Sequence, residues 1–113
     1  MDLRLYMAQR ITGLIMAPLV IGHLAMMIYA IQGGLTAAEI LGRTQGSTLW
    51  FLFYGTFVLA VSIHAAIGLR TVASEWLGLK GHVLTALAWA FCLGLIWLGG
   101  SAVWAVTFQA VWR

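Results

Sequence analysis

Three long apolar segments dominate the chain, separated by two shorter stretches that carry polar residues. They span residues 11–31, 49–69 and 83–106, and none of them contains Asp, Glu, Lys or Arg. Each is long enough to cross a bilayer as a helix, which takes about 20 apolar residues. Continuous apolar runs also favour helices over the alternating strands of a membrane barrel. The pattern therefore predicts an all-α membrane protein with three transmembrane helices.

The stretches between the apolar segments indicate where the helices begin and end. The glycine pair 33–34 is expected to end the first helix, and Ser47 or Thr48 to begin the second. The interval between them predicts a loop with a short helix around residues 37–41, whereas residues 77–81 predict a tight turn. We therefore expect a single transmembrane domain, 1–113, with helices over about residues 5–31, 48–76 and 82–110.

Composition and charge agree with a membrane location. Of the 113 residues, 63% are hydrophobic and 8% are charged, and the mean hydropathy is +0.99. A soluble domain of this length has too little interior to bury so much apolar surface. The net charge of +3 comes from scattered basic residues, which are typical of membrane-flanking positions and not of a nucleic-acid surface. The lipid bilayer is thus an expected partner, and nucleic acid is not.

The basic residues also predict the orientation of the helices. Arg4 and Arg10 lie before or at the start of the first apolar segment, and Arg70 and Lys80 flank the turn between the second and third. Basic residues concentrate on the cytoplasmic side, so we expect the N-terminus inside and the C-terminus outside. The basic residues on the opposite side are Arg43 and Arg113.

His64 lies inside the second apolar segment, where an ionisable side chain is costly and by default indicates a functional site. Ala60 and Gly68 lie one turn to either side of it on the same helical face. Small residues there let a flat macrocycle approach the helix, and neutral imidazole is a common haem ligand. The same residues also suit close helix packing, in which the histidine hydrogen-bonds a neighbouring helix. Both interpretations stay open here.

Two further side chains extend the haem interpretation. Arg70 follows His64 by six residues, or about 9 Å along a helix, which suits a haem propionate, a quinone carbonyl or simple anchoring at the interface. His23 and His64 lie about 18 Å and 8 Å from the inner ends of their helices. Two ligands of one upright haem share a depth, so we expect two haems if both histidines are ligands. His82 is interpreted as an interfacial residue, or as a contact for a propionate or a proton.

Two motifs resemble the membrane-anchor cytochrome b subunits of succinate dehydrogenase and fumarate reductase. The first is QRITGLI, with Arg10 and Gly13, and the second is HAAIGLRTVASEW, with His64, Gly68 and Arg70. The departures from the family pattern are Gln9 and Thr71 in place of histidines, Glu75 in place of an aspartate, and Tyr6 in place of a serine that contacts quinone in some members.

The resemblance implies roles for these residues. His64 would be an axial ligand of haem b, with Gly68 beside it and Arg70 near the propionates or the docking surface for soluble subunits. A quinone (ubiquinone or menaquinone) would bind at Arg10, together with Tyr6 and Gly13. His23 corresponds to the ligand of a second haem, further from the iron–sulfur subunit, in members that hold two haems.

The resemblance also implies a complex. Its partners would be an iron–sulfur subunit, a flavoprotein subunit carrying FAD, and a second membrane-anchor chain or a second copy that shares one or two haems. The chain would then pass electrons from succinate to the quinone pool and have no activity alone, in a bacterial or archaeal cytoplasmic membrane rather than a mitochondrial one. The alternatives are a haem-free anchor or assembly subunit and a small transporter, although the apolar segments offer no carboxylate to bind a solute.

Overall fold

The computed structural model describes residues 2–108, which form four α-helices. The helices are α1 (Leu3–Gly33), α2 (Ala37–Thr44), α3 (Thr48–Leu77) and α4 (Gly81–Thr107). All three long helices are long and apolar enough to cross a membrane. The predicted all-α membrane fold is therefore confirmed. Residues 109–110 of the predicted third helix and the outer-side Arg113 lie outside the described residues.

The helix ends follow the signals in the sequence. Gly34 ends α1 with a φ of 120°, and a side chain at this position would overlap the carboxylate of Glu39. Ser47 begins α3 by accepting a hydrogen bond from the backbone N–H of Trp50 at 3.2 Å. Gly78 ends α3 in the left-handed conformation that glycine favours. The predicted stop and start residues are thus confirmed, and α1 continues through Pro18.

The short helix α2 is longer than its predicted core and is attached to the end of α4. Thr36 and Glu39 form a capping box at its beginning. At its end, the Thr44 hydroxyl is 2.7 Å from the carbonyl oxygen of Val106, to which it can donate a hydrogen bond. Arg43 donates to the carbonyl of Gly34 at 3.2 Å. These contacts fix the polar loop across the end of the bundle opposite the α3–α4 turn.

α3 is the central helix, because α1 and α4 both make their main contacts with it. Five residues of α3 are buried, whereas Thr12 is the single buried residue in the described part of α1. Most large apolar side chains of the long helices face outward. Outward apolar side chains are expected where the surroundings are lipid or another membrane chain.

α1 and α3 pack in an antiparallel arrangement that sets the level of every candidate residue. Thr12 lies opposite His64, and a side chain at Gly22 would meet the ring of Phe53 at 3.2 Å. A step of ten residues forward on α1 therefore corresponds to a step of eleven back on α3. Depth along one helix can thus be converted to depth along the other.

Candidate functional site

His64 lies half-buried on α3, on the side that faces α1. Its Nδ1 atom is 3.2 Å from the hydroxyl oxygen of Thr12. Its Nε2 atom has no hydrogen-bond partner in residues 2–108, yet it is not among the buried atoms that lack one. The Nε2 atom therefore reaches the surface of the chain, where a group outside the chain can contact it.

Two glycines lie beside this imidazole on opposite helices. A methyl group added at Gly13 would lie 3.6 Å from Cε1 of His64, and one added at Gly68 would lie 3.8 Å from Nε2 of Gln9. Both distances are ordinary van der Waals contacts, so alanine would fit at either position. The packing of α1 on α3 therefore does not itself require glycine there.

Gln9 has a polar atom that the chain leaves unsatisfied. Its Oε1 is the one buried side-chain oxygen or nitrogen without a hydrogen-bond partner in the part of the chain that the structure describes. An unpaired buried acceptor costs about 1–3 kcal/mol. A donor from a bound molecule or from a partner chain would remove this cost. Gln9 lies about one turn from both Tyr6 and Gly13 on α1, a spacing that puts residues on neighbouring parts of a helix surface.

The three predicted quinone residues lie on one stripe of α1. Tyr6, Arg10 and Gly13 follow the spacing of residues that share a helical face. The guanidinium carbon of Arg10 is 5.7 Å from the centre of the Tyr6 ring, and its Nη1 is 3.5 Å from the Tyr6 hydroxyl oxygen. Both side chains are exposed, so the guanidinium is free to donate hydrogen bonds outward.

Arg70 lies at the same end of the bundle as Arg10. Gly68 is opposite Gln9, and Arg70 is about 3 Å further along α3, which in an antiparallel pair is toward Tyr6. The Arg70 side chain is half-buried. The packing of α1 on α3 therefore brings both arginines, both glycines and His64 to one end of this helix pair.

His23 lies elsewhere on the same pair of helices. Its ring packs edge-to-face against Phe57, with centroids 5.3 Å apart, and against Tyr54 at 6.2 Å. These two residues precede His64 by seven and ten positions, or roughly 10–15 Å along α3. That separation excludes ligation of one haem iron by both histidines. His82 is exposed at the start of α4.

Sequence reasoning did not identify Thr12 or the unsatisfied oxygen of Gln9. Thr12 is the only clearly polar residue besides His23 in the first apolar segment. Its isolation in an apolar segment could have marked Thr12 as a candidate, but the residue that Thr12 contacts on α3 depends on how the helices are aligned. The burial of Gln9 Oε1 depends on the same alignment.

The sequence matches, over residues 1–108, the family model described as Succinate dehydrogenase/Fumarate reductase transmembrane subunit. No curated protein and no solved structure matches the chain significantly. The match confirms the resemblance that the two sequence motifs indicate.

Proposed function

Because this chain belongs to the family of succinate dehydrogenase/fumarate reductase transmembrane subunits, we propose that it is the haem b-containing anchor subunit of a succinate:quinone oxidoreductase. It works only in the complex, where it receives electrons from an iron–sulfur subunit and delivers them to a membrane quinone. The flavoprotein subunit, with FAD, oxidises succinate or reduces fumarate.

One observation carries the haem assignment. His64 combines an engaged Nδ1 atom with an Nε2 atom that reaches the chain surface, and this is the arrangement of a ligating histidine. Glycine at positions 13 and 68 puts no side chain beside the ring, and alanine would fit at either position, so the helix packing leaves these glycines free to serve a haem. His64 holds haem b through Nε2, and the second ligand comes from a partner chain. When bound, haem b supplies one-electron transfer.

Two further residues, His23 and Arg70, have separate proposed roles. His23 serves a second haem at the other level of the α1–α3 pair, again with a ligand from the partner chain. Arg70 binds propionates or lies at the surface where the iron–sulfur subunit docks. Both roles rest on family membership together with the levels of these residues along the helices.

The quinone binds at the end of α1 that carries Arg10. The exposed guanidinium donates hydrogen bonds to a quinone carbonyl oxygen, with Tyr6 beside it and Gly13 one turn further along the helix. Charged donors of this kind make hydrogen bonds about twice as strong as neutral ones. With the N-terminus inside, this end faces the cytoplasm of a bacterium or archaeon, where the soluble subunits dock.

Substitution of His64 tests this proposal. His64→Ala should remove the haem that His64 holds, which is about half of the total where His23 holds a second haem, as measured by a pyridine haemochrome assay on the complex purified with its partners. Ser62→Ala is the matched control, because within residues 2–108 the Ser62 hydroxyl bonds only the carbonyl of Val58 on its own helix, at 2.7 Å. Unchanged haem in His64→Ala would refute the ligand assignment. A wild-type complex that assembles without haem would favour the haem-free anchor.

A further inference from the structure

The Thr12 hydroxyl is the polar group that ties His64 to the neighbouring helix. Thr12 is 7% exposed, and its Oγ1 has three polar neighbours. They are the carbonyl oxygen of Ala8 at 2.7 Å, the carbonyl oxygen of Gln9 at 3.1 Å and Nδ1 of His64 at 3.2 Å. Two of these neighbours can only accept a hydrogen bond, and the third can do either.

The number of hydrogens on the hydroxyl determines which ring nitrogen of His64 carries a hydrogen. The hydroxyl has one hydrogen, and the short distance to the Ala8 carbonyl oxygen assigns that hydrogen to the backbone. The hydroxyl oxygen must then accept from the ring, so Nδ1 of His64 carries the hydrogen. In a neutral imidazole this leaves the lone pair on Nε2, the atom that reaches the chain surface.

We propose that Thr12 is the positioning residue of the haem site, holding His64 in the Nδ1–H tautomer with the Nε2 lone pair available to iron. The inference rests on the proposed haem ligation by His64 and adds to it a residue on a second helix. A hydrogen bond from Nδ1–H fixes the orientation of the ring and raises its basicity as a ligand. A more basic ligand stabilises ferric over ferrous iron, so this contact lowers the haem reduction potential.

Within residues 2–108, no other helical threonine with a similar internal bond contacts a side chain on a second helix, since Thr44 reaches α4 at a backbone carbonyl. Thr71 donates to the carbonyl of Ile67 at 3.1 Å, and Thr107 to that of Val103 at 2.7 Å. Neither side chain has a hydrogen-bond partner on a second helix within residues 2–108. An internal bond alone is therefore a local feature of the helix, whereas Thr12 adds a contact with the predicted ligand.

Three variants in the intact complex test the role of Thr12. Thr12→Val removes the hydroxyl but keeps the side-chain volume, Thr12→Ser keeps the hydroxyl, and Thr107→Val controls for the loss of a buried back-bonded hydroxyl. Thr12→Val should shift the haem reduction potential to a more positive value and weaken haem retention by about 10- to 100-fold. Thr12→Ser and Thr107→Val should match the wild-type complex in both measurements.

His64→Ala, measured in parallel, separates the two proposals. If His64→Ala loses haem while Thr12→Val keeps wild-type potential and retention, the role of Thr12 is wrong and the ligand assignment stands. If His64→Ala keeps its haem, both are wrong. If Thr12→Val fails to assemble, Thr12→Ala takes its place, and a Thr12→Ala complex identical to Thr12→Ser in potential overturns the proposal.

Discussion

The imidazole of His23 lies edge-to-face against the ring of Phe57, with their centroids 5.3 Å apart. This contact is compatible with a histidine that only packs and with one that ligates haem, and the two roles predict different haem contents when the histidine is removed. We expect His23→Ala to leave about half of the haem in the complex, because His64 at its separate level keeps its own haem. The haem content per complex measures this directly.

Phe57→Leu is the control for His23, because it removes the aromatic contact and keeps the histidine. It should retain full haem if His23 is a ligand. If His23→Ala also keeps all the haem, or if both variants cause the same small loss, His23 is a packing residue and the complex holds one haem on this pair of helices.

The helix ends were predictable because their signals are local. Gly34 ends α1 through its own backbone conformation, and Ser47 caps α3 through an atom three residues away. The last turn of α2 was not predicted, since it is held by the bond from Thr44 to Val106 on a distant helix. A single sequence carries no information on which residues of α2 and α4 meet.

The candidate site was likewise predictable only in those parts that do not depend on how the helices align. His64 was identifiable because a histidine in an apolar run is conspicuous whatever surrounds it. Its contact with Thr12 depends on the alignment of α1 with α3, and a shift of one residue would turn the hydroxyl to another side of the helix. The family motifs place Arg10 and His64 on the chain, but they do not reveal the atom that orients the imidazole.

Arg10 should affect quinone chemistry without affecting succinate oxidation. Removing its guanidinium eliminates charge-assisted hydrogen bonds, each worth about 1.5–3 kcal/mol, so Arg10→Ala should lower the apparent affinity for quinone about 10-fold or more. Quinone reduction and dye-linked succinate oxidation are compared in the same complex. Dye-linked activity should survive, because it depends on the soluble subunits.

Arg4→Ala is the matched control for Arg10, because Arg4 is an exposed arginine six residues earlier on the same helix. It should retain quinone reduction. Equal loss of both activities in Arg10→Ala would mean that the complex assembles poorly. Equal effects of Arg4→Ala and Arg10→Ala on quinone reduction would reduce Arg10 to one of several surface charges.

The packing of α3 on α4 depends on Gly99, and the adjacent Gly100 provides a control. A methyl group added at Gly99 would lie 2.7 Å from Cγ1 of Val58, whereas nothing lies within 4 Å of one added at Gly100. Real contacts are never so short, and the branched side chain of Val58 has little freedom to turn within a helix. Gly99→Ala should therefore push α4 away from α3.

We expect Gly99→Ala to destabilise the helix pair by about 1–3 kcal/mol, the usual cost of overpacking, and Gly100→Ala to leave it unchanged or slightly more stable. Thermal denaturation of the purified complex measures both. Val58→Ala should restore part of the loss when combined with Gly99→Ala, because it removes the atoms that clash. If the two glycine variants denature at the same temperature, α3 and α4 do not approach as closely at this point, and the α3–α4 packing described here is wrong.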